Sequence, residues 1–243
     1  MASMQNKVFA IFGGASGMGL VTARFLLARG ARVAVCDISA DNLKQLHTSL
    51  PTDQSSHCFV QTGSVTDESA VEAFLTKTKS NFGKLNGVAN YAGVPGHELG
   101  TEAIWQTSQE EYHFIMDVNV RGLFNVLTVS LRPGFLEDDS NVVHIGSMFS
   151  LQGFRNGAVY AASKHAALGM VRSAAKETGA RTRVNCMLPG SIDTPMHQAN
   201  LARIKDFDPA PKTAIPRDGR AGEVASVAVF LLSDESSYVT GAA

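Results

Sequence analysis

The sequence predicts an α/β fold, a doubly wound parallel sheet with helices on both faces. Three observations predict it. Short, uninterrupted apolar runs recur along the 243 residues. Amphipathic stretches of helical period separate them. The first run leads through a glycine-rich turn into a helix-like segment. Continuous apolar strands alternating with helices mark a parallel sheet that is buried on both faces.

Taken in order, the first strand is Val8-Phe9-Ala10-Ile11-Phe12, followed by the turn Gly13 to Gly19 and a helix from Leu20 to Arg29 that stops at Gly30. Val33 to Cys36 forms the second strand, and Asp37-Ile38-Ser39 opens another helix. Further strands are expected at Ser56 to Thr62, Leu85 to Asn90, Asn141 to Gly146 and Arg183 to Leu188. Helices are expected at Asp67 to Ser80, Ser108 to Leu131, Gly157 to Thr178 and Gly222 to Ser233. No linker or repeat breaks the pattern, so the expectation is one domain over residues 1–243. The irregular insertion is Asp193 to Pro216, punctuated by Pro195, Pro209, Pro211 and Pro216 around a short helical pattern from Met196 to Ile204. A segment of that kind suits a lid over a site at the carboxyl ends of the strands.

Composition narrows the class of protein. Lys and Arg number 21 against 22 Asp and Glu, a net charge of −1 with no dense basic run. That balance argues against nucleic acid and anionic membranes as partners. No apolar signal core precedes the first strand, and no stretch is long enough to span a bilayer. The three cysteines, Cys36, Cys58 and Cys186, all fall in strand-like runs. An odd, buried set without metal-ligand spacing fits a reducing compartment, so a cytoplasmic protein with no metal is expected.

The turn Gly13-Gly14-Ala15-Ser16-Gly17-Met18-Gly19 carries the first chemistry. Glycines let the backbone turn tightly and approach a ligand. The N-terminus of the following helix then presents unpaired N–H groups and positive dipole to a pyrophosphate. Asp37 ends the second strand, 18 residues after Gly19, near the ~20 expected of a ribose-binding acid in a Rossmann-like dinucleotide site. Its carboxylate would accept from both ribose hydroxyls and repel a 2′-phosphate, favouring NAD(H) over NADP(H). Arg32 and Lys44 are the nearest cations that would oppose this, and a helix cap is the alternative use of Asp37.

Tyr160 and Lys164 lie four apart in a helical stretch, which places both on one helix face. A free phenol is a poor base at neutral pH, and a neighbouring ammonium favours the phenolate by opposite charge. Ser147 ends the strand Val142-Val143-His144-Ile145, where the active groups of open α/β sheets gather.

Together these motifs resemble the short-chain dehydrogenase/reductase family, and the resemblance covers nearly the whole chain. The family's glycine turn corresponds to Phe12-Gly13-x3-Gly17-x-Gly19, and its Asn-Asn-Ala-Gly element is similar to Asn90-Tyr91-Ala92-Gly93. Asn119, Ser147, Tyr160 and Lys164 match its catalytic set, with Ser147 and Tyr160 at the typical 13-residue separation. Pro189-Gly190 and Arg217-x-Gly219-x3-Glu223-Val224-Ala225 match later signatures.

The resemblance implies hydride transfer between a nicotinamide C4 and a carbinol or carbonyl carbon. Tyr160 would be the general acid or base, Lys164 would favour its phenolate and bind the nicotinamide ribose, and Ser147 would orient the substrate oxygen. Asn119 would carry a water-linked proton path to Lys164. Gly13, Ser16, Gly17, Met18 and Gly19 would line the pyrophosphate and adenosine side, with Asp37 on the ribose. Ser64, Val65 and Asn90 would face the adenine end. Ala92, Gly93, Pro189 and Gly190 complete the cofactor set, while Ile192 and Thr194 would hold the carboxamide.

The sequence departs from the family in places. Phe12 replaces a Thr and Tyr91 an Asn, so each is expected to lose a bracing hydrogen bond. Ser64 stands where an Asp commonly contacts adenine. The sequence stops at Ala243, so the usual last strand is expected to be lacking and a sheet edge unpaired. Family members often assemble, which implies a homo-oligomer, tetramer or dimer.

For the substrate, Val94 to Glu98, Met148 to Phe154 and the lid are expected to form the pocket. Val94, Met148, Phe149, Phe154 and Met196 point to a bulky apolar alcohol or ketone such as a steroid, terpenoid or polyketide, or else are simply core. His97, Glu98, Arg155 and His197 would add polar contacts or stay solvated. A non-redox lyase, epimerase or cyclase, or a non-catalytic cofactor-binding protein, are the alternative functions on this scaffold.

Overall fold

The computed structural model describes residues 4–203 and 214–243. Its strands are β1 (Val8–Phe12), β2 (Arg32–Asp37), β3 (Cys58–Thr62), β4 (Leu85–Asn90), β5 (Leu136–Ile145) and β6 (Thr182–Met187). They form one parallel sheet in the order β3-β2-β1-β4-β5-β6. The order reverses direction between β1 and β4, and in such sheets ligands bind outside the strand ends at that switch point.

Helices cover both faces. On one face, α1 (Gly17–Leu27), α2 (Ala40–Thr48) and α9 (Ala221–Leu231) bury Leu26, Leu46 and Leu231 against Phe9, Ile11, Val33 and Val143. On the other, α4 (Glu68–Phe82), α6 (Gly122–Ser130) and α7 (Ala158–Thr178) pack Phe74, Leu123 and Leu168 onto Phe12, Val88 and Val142. Side chains alternate across a strand, so Val142 and Val143 serve opposite cores. Phe12 meets Phe74 edge to face at 5.0 Å; it has exchanged a turn hydrogen bond for core packing.

Several elements differ from expectation at their edges. A helical turn, α3 (Thr52–Ser55), precedes β3, which begins at Cys58 rather than Ser56. β5 starts five residues early, in the polar stretch Leu136–Ser140. Its register shifts against Leu85 and Gly87, and Asp139 takes φ +61°. The stretch expected as one helix from Ser108 is α5 (Gln109–Met116) and α6 joined by a π-helical turn, Asp117–Arg121. Ser108 caps α5 by accepting from the Glu111 N–H.

The outer edge of β6 is partly paired, contrary to expectation. The Gly241 N–H donates to Val184 O at 2.8 Å, and the Cys186 N–H to Ala242 O at 3.0 Å. The expected lid comprises, among the described residues, β7 (Ile192–Asp193) and α8 (Pro195–Arg203). β7 pairs in parallel with β8 (Gly219–Arg220) just beyond the lid. Residues 204–213, with Ile204, Pro209 and Pro211, lie outside the described residues. No described helix is long and apolar enough to cross a membrane.

All three cysteines are free and buried. Burial, helped by the Asp37 charge, pushes the Cys36 thiol up to about 12. Burial alone takes Cys58 to about 12. Burial outweighs the Lys164 charge to hold Cys186 at about 11.

Candidate active site

The glycine turn sits at the end of β1, beside the switch point. Gly13 has φ +67°, and a Cβ there would lie 2.6 Å from Ala92 N, so only glycine lets the turn meet the Tyr91-Ala92 backbone. Ser16 is the N-cap of α1, yet its side chain makes no capping bond, and the first turn holds no acid. The first N–H groups of α1 are thus left for an outside acceptor. Asp37 Oδ2 accepts from the Ala15 N–H at 3.0 Å and Oδ1 from the Ser39 N–H at 3.1 Å, so the carboxylate braces the turn from β2. Arg32 opens β2, at the opposite end from Asp37, and donates to Phe82 O. Tyr91 keeps a brace after all: its hydroxyl shares a 2.6 Å hydrogen bond with Thr22 on α1. Burial raises the Tyr91 phenol well above its ordinary range, against the opposing Thr22 bond.

At the adenine side, the Ser64 hydroxyl bonds Thr66 at 2.8 Å. Val65 packs its side chain tightly against Gly122 and accepts from Asn125 Nδ2 through its carbonyl. Asn90 Oδ1 accepts from the Ala92 N–H at 3.1 Å. Thr194, beyond β7, lies against Gly17: a Cβ there would meet its Cγ2 at 3.5 Å. This uncapped helix start, close-packed turn and strand-end carboxylate fit a dinucleotide.

The π-turn aims Asn119 inward. Its Oδ1 accepts from the Val94 N–H at 2.8 Å, while Nδ2 donates to Val94 O at 2.9 Å and Ser163 Oγ at 3.0 Å. Lys164 is only 5% exposed. Its ammonium donates to Ile145 O at 3.2 Å and lies 5.7 Å from the Tyr160 ring centroid. Gly93 makes room for both groups, since a Cβ there would come within 3.2 Å of Asn119 Oδ1 and 3.4 Å of Lys164 Nζ. Ser147 caps the short 3-10 turn Met148–Ser150, accepting from the Phe149 N–H at 3.2 Å. Pro189 O accepts from the Met148 N–H.

A cavity of about 450 Å³ opens between the end of the glycine turn and the Ser147–Tyr160 pair, with Asn119, Lys164 and Asp37 outside its lining. Its lining includes Met18 from the turn, Ser147, Tyr160, Pro189, Gly190, Ile192 and Thr194. Met148, Phe149, Phe154 and Met196 supply apolar wall as expected residues of the pocket. Pro95 and Leu99 add to that wall, and Gln152, Arg155, His197 and Asn200 add polar groups. Val94 does not line it; its peptide group is bonded to Asn119. His97 and Glu98 do not line it either; His97 pairs with Glu111 at 2.7 Å. Burial would raise the Glu111 carboxyl, but its bonds to His97 hold it below the usual range. His197 Nε2 stands 3.3 Å from Asp218 Oδ2, without hydrogen-bond alignment. Leu99 lies one residue past the expected span, and Asn200 on α8 carried no signal beyond its place in the lid.

Sequence reasoning passed over His144. It is 1% exposed, and neither ring nitrogen has a hydrogen-bond partner among the described residues. Burial first, then the Lys164 charge, push its pKa down to about 3; the Asn90 backbone pulls the other way without reaching bonding geometry. A free imidazole titrates near ~6.5, so on acidification the unfolded chain takes up this proton before the folded one. Stability is therefore full above pH ~6.5 and falls towards pH ~3, by up to ~1.4 kcal/mol per pH unit. Melting temperatures measured from neutral pH to pH ~4 are expected to fall less steeply in His144→Asn than in the native chain; equal slopes would assign the acid sensitivity elsewhere.

Among the described residues no His, Cys, Asp or Glu cluster is suited to a metal ion. Comparison with known proteins agrees with this layout. The family described as enoyl-(acyl carrier protein) reductase matches residues 13–243. The short-chain dehydrogenase/reductase aba4 of Botryotinia fuckeliana is 40% identical over 243 residues, covering 98% of this chain and 93% of that protein. Levodione reductase of Leifsonia aquatica is 34% identical over 246 residues, covering 96% and 90%. A crystal structure of levodione reductase superposes with a TM-score of 0.87 at 30% identity, covering 98% of this chain and 95% of that one. Sheet order, glycine turn and relatives converge: the chain belongs to the short-chain dehydrogenase/reductase family of oxidoreductases.

Proposed function

We propose that the protein is an NAD(H)-dependent oxidoreductase that interconverts a secondary alcohol and a ketone on a bulky, apolar small molecule. The observation that carries this reading is the shared cavity: Ser147 and Tyr160 open onto the same ~450 Å³ as Met18 and Thr194, with a largely apolar wall. A bound nicotinamide supplies or takes up the hydride at its C4. The chain's own residues do the rest. Ser147, 8% exposed and fixed as a cap, holds the substrate oxygen. Tyr160 moves the proton at that oxygen. Lys164, buried behind it, keeps a positive charge beside the phenol, and Asn119 fixes the loop that closes over Lys164.

Asp37 supports NAD(H) over NADP(H), since a 2′-phosphate would meet its carboxylate, and Arg32 stands at the far end of the strand. Met148, Phe149, Phe154 and Met196 support an apolar substrate body, while Arg155 and Asn200 suit a polar substituent. Exposed Trp105, Phe124 and Tyr238 suit a homo-oligomer, dimer or tetramer, placed in the cytoplasm.

The test is a nicotinamide absorbance screen of NAD and NADP against bulky secondary alcohols and ketones, repeated with Asp37→Ala. Turnover with NAD well ahead of NADP, and a narrowed gap in the variant, are expected. Equal use of the two cofactors by the native chain would overturn the role of Asp37.

A further inference from the structure

The buried face of the sheet beneath Lys164 holds polar atoms that the reaction scheme does not use. Asn90, His144 and Cys186 are register partners across β4, β5 and β6. They share the face covered by α7, because Val88, Val142 and Val184, two residues earlier in each strand, pack in that core. Asn90 Nδ2 and both nitrogens of His144 are buried with no hydrogen-bond partner among the described residues. Native proteins leave few such atoms, and each calls for a physical reason. Lys164 projects from α7 one turn before Ala167 and Leu168, which pack on this same face.

The ammonium of Lys164 has three N–H groups. Ile145 O, on the residue next to His144, takes one. The family resemblance gives one to the cofactor ribose. The resemblance joins the third to a water-linked path from Asn119, and that water is what the sheet side can share. A neutral imidazole offers one acceptor nitrogen and one donor, which is what a buried ammonium without a counter-acid lacks.

We propose that His144 is a positioning residue: its neutral ring presents a lone pair towards the Lys164 ammonium through one water shared with Asn90, and so fixes that charge beneath Tyr160. The lysine charge in turn keeps the ring neutral, so the two groups define each other's state. Among the described residues the other cation felt on this face is Arg172 of α7, which acts on the Cys186 thiol, whereas the charge acting on His144 is that of Lys164. Cys186, facing the ring from β6, stays a thiol at neutral pH, β4 contributes only the amide of Asn90, and α6 carries no ionisable side chain.

The inference rests on Tyr160 and Lys164 acting as proposed above, and two measurements separate the readings. The first is the pH profile of kcat/KM for alcohol oxidation in the native enzyme, His144→Leu and His144→Asn. Removing the acceptor should move the acid limb of His144→Leu to higher pH by about one unit, a tenfold loss on that limb with a smaller loss on the plateau. His144→Asn should recover most of that shift. Superimposable profiles, or an equal shift in both variants, would overturn the proposal, and a native enzyme without turnover would instead sink the function. The second does not depend on activity: imidazole nitrogen resonances of the native chain and of Lys164→Met. Movement of the His144 acceptor nitrogen on loss of the ammonium is expected, and an unmoved resonance refutes the coupling even if His144→Leu fails to fold.

Discussion

Tyr160→Phe is expected to remove turnover while leaving the binding of reduced cofactor nearly unchanged. The phenyl ring keeps its 6.3 Å edge contact with Phe149 and its place over Lys164. Only the hydroxyl that we propose exchanges a proton with the substrate oxygen is lost. Positioned acid–base catalysis contributes ~10²–10⁴-fold, so the rate should fall by at least that range. Steady-state rates paired with a fluorescence titration of NADH check both halves. Survival of more than about a tenth of the native rate would remove Tyr160 from the role.

Gly13→Ala should be a severely damaging methyl in the turn expected to hold the cofactor. The left-handed backbone at φ +67° costs a non-glycine residue ~1–2 kcal/mol. The new Cβ also meets the Ala92 backbone at 2.6–2.8 Å, and backbone cannot rotate away. Overpacking of this sort costs ~1–3 kcal/mol, so a total of about 2–5 kcal/mol is expected. For a chain of this size that lowers Tm by roughly 5–20 °C. NAD affinity should drop with it, because the turn and the Ala92-Gly93 segment move apart together. Gly169→Ala is the control: it lies inside α7 with nothing near its would-be Cβ and should be neutral or slightly stabilising. Equal melting temperatures for the two variants would mean that the turn relaxes freely.

The parts of this molecule that the sequence disclosed are those coded locally. A parallel strand buried on both faces is an apolar run, and a turn with a left-handed backbone needs a glycine, so the sheet and the cofactor cradle could be read directly. The Tyr160–Lys164 pair was legible because helical spacing alone sets it on one face. The π-turn at Asp117–Arg121 was not, since one extra residue per turn leaves apolar periodicity almost intact. The early start of β5 was hidden by Glu137, Asp138 and Asp139, which lack the apolar signature of a central strand. Val94 was assigned to the pocket by position; its backbone role towards Asn119 depends on a loop crossing that no short-range pattern encodes. His144 lies inside an apolar run where nothing local marks it, because its burial and its neighbours come from three different strands.

The three thiols carry a consequence for how the fold can be watched opening. Alkylating reagents attack the thiolate, and with thiols held at about 12, 12 and 11 the closed molecule is nearly inert to them. Modification therefore proceeds through transient opening, and its rate gauges the free energy of that opening as amide exchange does. Cys36 and Cys58 sit on the neighbouring strands β2 and β3, and Cys186 on β6 at the far side. One reagent and a peptide map thus time the two flanks separately, showing whether the nucleotide half or the substrate half lets go first.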